Sequence, residues 1–242
     1  MSGETIRAVI MAVAITLAGF LAGNGFARAR SADRYVTVKG VSEREAKADV
    51  AIWPLSVVGA DNTLAAAHAK LATSITGVRQ FLARNGIDTA QIELTGFSVS
   101  DALAQEYGPE RQPTNRYIIR ETLMVRSQRP DLVLAASQRI GELAAIGVVV
   151  SSPDRGSGGG PTFVFTGLNK LKPPMIAEAT ARAREGAEQF ARDSHSDLAG
   201  IRRANQGVFE ILPRDQAPGI GAESQINKLV RVVSTVEYLL KD

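Results

Sequence analysis

Residues 35–59 constrain this chain more than any other stretch. Val36 and Val38 alternate with Thr37 and Lys39, the period of two expected of a half-buried strand. Gly40 interrupts that pattern, and Glu43, Arg44, Glu45 and Lys47 follow as a charged connection. From Ala48 the chain turns apolar through Val50, Ile52, Leu55, Val57 and Val58, a β-branched composition that reads as a buried strand. Pro54 lacks the amide proton that a ladder needs, so this second strand is expected to bulge there or to lie at an edge.

Upstream, residues 8–26 are apolar except for Thr16 and Asn24, with Arg7 before them and Arg28 and Arg30 after. About 19 residues at about 1.5 Å each make roughly 28 Å of helix, close to one hydrocarbon thickness. A retained signal-anchor fits this run. A cleaved signal peptide is the alternative, with Ala27-Arg28-Ala29 as its small-residue site. Residues 1–30 are therefore read as signal-anchor or signal peptide, and residues 31–242 as the domain. The domain is expected to face the periplasm from the inner membrane, or to be soluble there after cleavage.

After Gly59, Asp61, Asn62 and Thr63 offer capping side chains for a helix. Leu64, Ala67, His68, Leu71, Ile75, Val78 and Leu82 then recur at steps of three and four, ending at Asn85-Gly86. Residues 92–99 and 117–126 alternate as strands, paired antiparallel across a polar loop at 101–114. Pro130 opens a second helix with Leu132, Ala136, Ile140 and Leu143 on its buried side. A Gly/Ser/Pro-rich stretch at 151–161 precedes a short strand at Phe163, Val164 and Phe165. A third helix, introduced by Lys172, Pro173 and Pro174, buries Ile176, Ala179, Ala183, Ala187 and Phe190. Glu178 with Arg182 and Glu188 with Arg192 are spaced as ion pairs. Strands at 201–212 and 229–240 close the chain. This order predicts an α+β fold, a largely antiparallel sheet with three amphipathic helices on one face.

Few residues point to chemistry. With no cysteine, disulfides, thiolate metal sites and Cys nucleophiles are excluded. The net charge of +3 is spread among interleaved acids and bases, and aromatics make up 5%, so neither a basic patch nor stacking platforms for nucleic acid are expected. His68 reads as a half-buried helix residue and His195 as a cation near a helix end. Residues 156–160 are glycine-rich, but Pro161 and a strand follow where a phosphate loop needs Lys-Ser/Thr and a helix. Glu43, Glu45 and Asp49 have Arg44 and Lys47 between them and read as an exposed mixed-charge link. Ser42, Ser98 and Ser100 lack a nucleophile elbow. No catalytic, cofactor or metal residue is assigned. Trp53, Pro54 and Tyr107 are the candidates for a self-association contact, since a lone Trp beside a strand-breaking proline suits an exposed edge; the other reading of Trp53, and the commoner one for such a residue, is a core aromatic.

Several stretches together resemble the SIMPL-domain family. YVTVKGVSEREAKADVAIWPLSVV is similar to its opening, with Lys47-Ala48-Asp49 where Lys-Pro-Asp is usual. NGIDTAQIELTGFSVS is similar to its helix exit and following strand. Residues 117–126 resemble its long Tyr-led strand, residues 177–191 its Ala-rich helix, and residues 232–240 its last strand. Ala48, Pro54 and the glycine-rich insertion at 155–160 depart from the pattern. The resemblance implies an exported envelope protein, with relatives that include periplasmic surface antigens, stress-tolerance proteins and a ring-like homo-oligomer. The family offers no agreed catalytic residue to carry over. The expected function is that of a non-enzymatic, membrane-tethered envelope protein acting by self-assembly or partner binding. The alternative is an exported ligand-binding protein or enzyme whose site forms only in the fold.

Overall fold

The computed structural model describes residues 3–31, 34–104, 114–151 and 160–241. In chain order the elements are α1 (Gly3–Ser31), β1 (Tyr35–Lys47), β2 (Val50–Asp61), α2 (Leu64–Arg84), β3 (Ile92–Asp101) and β4 (Tyr117–Ser127). There follow α3 (Pro130–Gln138), α4 (Gly141–Ala145), β5 (Val150–Ser151), β6 (Thr162–Val164), α5 (Leu168–Asp193), β7 (Asp197–Gln206), β8 (Glu210–Pro213) and β9 (Asn227–Lys241). The α+β class holds, and every pairing with a recorded register is antiparallel. The single expected sheet is instead two. One has the order β1-β9-β7 with β8 also on β9, the other β3-β4-β2-β5 with β6 also on β2. The chain likewise divides into two compact units, one of residues 1–43, 172–210 and 231–242, the other of 44–171 and 211–230.

In the first unit, α5 carries its packed stripe on Met175, Ala179, Ala183, Ala187 and Ala191, every fourth residue. The expected stripe was one residue out of phase at both ends, since Phe190 is exposed and Ile176 only partly covered. Val38, Val236 and Tyr238 complete this small core with Ala183 and Ala187. Gly40 does not end the first strand. β1 runs through it, and the reason for glycine there is the approach of α5. A Cβ at Gly40 would fall on the carbonyl oxygen of Ala179, with Ala183 N at 2.6 Å. Ser42 lies beneath the same helix and donates to Glu178 Oε2 at 2.9 Å. Glu178 pairs with Arg182 as expected, whereas Glu188 takes Arg184 rather than Arg192. The closing strands differ too: the expected strand at 201–212 is split into β7 and β8, with the Gly207 amide donating to Val233 O between them.

In the second unit, β2 is the central strand. Its register with β4 runs unbroken from Ala51↔Ser127 to Asp61↔Tyr117. Pro54 sits opposite Met124 without a bulge. On the other side of β2, β6 covers Val50 to Ile52 and β5 covers Ser56 and Val57. Pro54 therefore falls in a three-residue gap where no described strand asks for its missing N–H. Trp53 beside it is fully buried, among Leu55, Leu71, Phe81, Leu82, Leu123 and Val125. Of the two readings of Trp53, edge contact and core aromatic, the core one holds, because alternation turns it toward α2.

Local signals elsewhere act as read. Thr63 Oγ1 accepts from Ala66 N at 3.3 Å and caps α2, which ends at Asn85. Pro130 occupies the first turn of α3. The helix expected to run on to Gly147 breaks at Arg139 and Ile140 into α3 and α4. His68 is exposed, not half-buried. His195 closes α5 with a left-handed backbone, φ +53°, while Ser196 N donates to Ala191 O.

α1 is one continuous helix of 29 residues whose side chains from Val9 to Leu21 are exposed. Counted over the described residues, no helix is long and apolar enough to cross a membrane.

Candidate functional site

The charged residues around the β1–β2 connection do not converge. Glu43 lies 3.3 Å from Arg231 Nε, near enough for an ion pair but not aligned as a hydrogen bond. Lys47 pairs with Asp131 at 2.8 Å. The Asp49 carboxylate accepts from Thr166 twice, from N at 2.9 Å and from Oγ1 at 2.7 Å. Among the described residues, no three His, Asp or Glu side chains are placed to hold a metal. Lys228 was not singled out in the sequence. It is buried and donates to the Ala222 carbonyl; burial pushes its pKa down, and the charge of Glu223 offsets part of that.

Asp49 gives a pH prediction. Partial burial works against its charged form, but the two Thr166 bonds and the Lys170 charge together outweigh this and hold its pKa below the ordinary 3.8. A carboxylate with a depressed folded-state pKa stabilises the fold above its unfolded value, and this is lost as pH falls through the folded one. The stability gap between wild type and Asp49→Asn should be constant above about pH 5 and close as pH drops below about 4. Urea unfolding of both proteins across that range checks it; a constant gap down to the lowest pH contradicts it.

Of the three expected contact residues, Trp53 is core and Pro54 is half-buried in the gap described above. Tyr107 lies outside the described residues. The base of its loop is pinned by Arg116, which donates from Nε to Asp101 Oδ1 at 3.2 Å and from Nη2 to Oδ2 at 3.0 Å, and stacks over Tyr117.

An apolar strip that the expectations did not include lies on β3. Among the described residues this strand is the outer edge of its sheet and bonds only to β4. Ile92, Leu94 and Val99 stand opposite Val125, Leu123 and Ile119, all buried core residues, so they face the side on which α2 packs. Between Thr95 and Ser98 the register slips by one, with Gly96 at φ +65°, a bulge of the glycine type. The bulge brings Phe97 to the same side as Val99. But α2 packs chiefly on β2 and β4, and along β3 the cover ends with Ile92. Leu94, Phe97 and Val99 are left 42%, 58% and 47% exposed. The sequence held a sign of this: apolar residues at 92, 94, 97 and 99 step by three across a glycine where a plain strand steps by two.

At the opposite edge of the same sheet, two shallow hollows of about 550 and 360 Å³ adjoin along α2. They share Thr73, Ile146 and Val148. The hydroxyls of Thr73 and Thr76 donate to Ala69 O and Ala72 O, so these threonines turn satisfied groups inward and present methyls.

A family model named SIMPL, described as "Protein of unknown function (DUF541)", matches residues 36–231, from the second residue of β1 into β9. The chain belongs to the SIMPL family. No curated protein matches it. The SIMPL match takes in both sheets, the β3 strip and the hollow, and its description assigns no activity to any of them.

Proposed function

We propose that this SIMPL protein is a membrane-tethered protein of the cell envelope that works by self-association rather than by catalysis. The observation that carries the reading is the β3 strip: a strand edge unpaired among the described residues and bearing Leu94, Phe97 and Val99 exposed. An open edge offers a row of backbone donors and acceptors to another chain, and exposed apolar side chains add to the pull. Of the devices by which soluble domains blunt such edges, β3 carries the bulge at Gly96 but neither lysine nor proline. The tether is supported by the arginine-flanked apolar run at 8–26 and by the exposed apolar side chains of α1. In this reading the domain faces the periplasm from the inner membrane.

Phe97→Asp tests the association. A central aromatic anchor contributes about 2 kcal/mol or more to an interface. Burying the new charge adds to the loss, so the self-association constant should weaken by roughly 30-fold or more, with an unchanged circular dichroism spectrum. Sedimentation equilibrium measures it; equal constants for the two proteins would remove β3 from the interface. N-terminal sequencing tests the tether separately. An intact N-terminal helix agrees with it, and a mature chain starting at Arg30 contradicts it.

A further inference from the structure

We infer that the first unit is seated on the bilayer that α1 enters, through an apolar and aromatic patch of Tyr35, Phe190 and Ile201 at the tether end of its sheet. This rests on the membrane tether proposed above and specifies which surface of the protein meets the lipid headgroups.

Four segments meet at that end. Leu240 N donates to Arg34 O at 2.9 Å, Arg34 Nη2 donates to Ser196 Oγ at 3.2 Å, and Asp197 stands opposite Lys241. The start of β1, the end of β9, the turn after α5 and the start of β7 are thereby held together. Tyr35, Ile201 and Phe190 are all half-exposed, Phe190 in the last turn of α5. Among the described residues of this unit outside α1, the one other large apolar side chain left exposed is Val208. It follows Gly207, whose amide bonds Val233, whereas Ile201 stands opposite Tyr238. Those two β9 residues are about 17 Å apart along the strand.

The irregularity of β7 places Ile201. Its register with β9 slips between Leu198 and Ile201 and again between Ile201 and Arg203, and such bulges re-aim side chains. Bulges and arginines also keep an edge strand from pairing, which suffices for Arg203, opposite Glu237. Edge protection does not explain why an isoleucine, a tyrosine and a phenylalanine are left open at one end. Arg202 holds its guanidinium 4.2 Å from the centre of the Tyr35 ring. A ring with a long cationic side chain over it suits a membrane–water boundary, the ring at headgroup level and the guanidinium reaching toward phosphate.

Chain length says what covers the patch. The apolar run ends at Phe26, α1 ends at Ser31, and four residues later the chain is at Tyr35. Four residues span at most about 14 Å, and a headgroup layer is about 5–8 Å deep. Tyr35 therefore stays within short reach of the headgroups. Charge contributes little, since Asp33 and Asp197 offset part of Arg28, Arg30, Arg34 and Lys241. Three side chains are also too small an apolar area to hold a free protein on a bilayer. A short tether, however, gives an effective concentration in the millimolar range. A contact that would be lost in solution is then populated once α1 is inserted.

Because the chain has no cysteine, single thiols carry the test. Ile201→Cys, Phe190→Cys and Val208→Cys are made in the full-length protein and labelled with an environment-sensitive fluorophore. Each is placed in nanodiscs of phosphatidylcholine and phosphatidylglycerol with a doxyl lipid as quencher. The labels at 201 and 190 should shift to the blue and be quenched, and the label at 208 should do neither. Adding Ile201→Asp to Phe190→Cys should bring the quenching at 190 down to that of the 208 control. Protein that enters the discs with 201 and 190 no more quenched than 208 overturns the inference and leaves the tether standing. Quenching at 190 that survives Ile201→Asp traces the contact to the label and overturns it as well. A chain that does not enter the discs removes the tether and this inference together.

Discussion

Trp53→Ala should cost the second unit about 3–5 kcal/mol, the range for emptying an aromatic site in a closed core. Trp53 has no exposed surface, stands opposite Val125 on the central strand, and packs with side chains of α2 and β4 that are themselves fully enclosed. Nothing around it is free to collapse, since Leu55, Phe81, Leu82 and Leu123 are held from both layers. Its indole Nε1 is buried with no hydrogen-bond partner among the described residues, which by itself disfavours the fold by about 1–3 kcal/mol. Trp53→Phe, which removes that orphan donor and keeps most of the ring, should therefore recover most of the loss. Urea unfolding followed by circular dichroism measures both. A Trp53→Ala protein of wild-type stability but smaller assembly size would return Trp53 to the surface.

Gly40→Val is expected to be as damaging, through overpacking rather than a cavity. The added carbon would overlap the Ala179 carbonyl and crowd Ala183 N, both backbone atoms of α5 that cannot swing aside. Either α5 lifts from β1 or the strand bends. Both separate Val38 from Ala183 and Ala187, and both break the bond from Ser42 to Glu178. Overpacking of this kind costs about 3 kcal/mol. The first unit should lose its protection from amide exchange in β1 and α5. Unchanged protection there would show that α5 does not press on Gly40.

The parts of this fold that were legible in the sequence are those decided within a few residues. Thr63 caps α2 because its hydroxyl reaches an amide three residues on, and Pro130 opens α3 because its own missing donor is harmless there. The β3–β4 pairing follows from two alternating runs joined by one loop. What was not legible depends on partners far away in the chain. β1 and β2 are neighbours in sequence, yet β1 joins β9 through contacts such as Leu240 N to Arg34 O, while β2 joins β4. No local pattern separates that from a hairpin. The rule applied to Pro54 was sound, but the gap that satisfies it lies between two short strands a hundred residues downstream. The edge reading of Trp53 leaned on the edge that rule allowed and falls with it, while the core reading of the same residue holds. In α5, alanines at every fourth residue carry the packing, and the larger Ile176 and Phe190 drew the expected stripe off phase. The β3 strip was missed for a related reason. Its step of three across Gly96 could have been seen, but that α2 stops short of it could not.

Native mass spectrometry of the intact chain, extracted from membranes in mild detergent, puts the central claim to its most direct test. Self-association through the β3 edge predicts masses at whole multiples of the chain for wild type and a single chain for Phe97→Asp under the same conditions. A wild-type protein that stays a single chain up to high micromolar concentration would contradict the account.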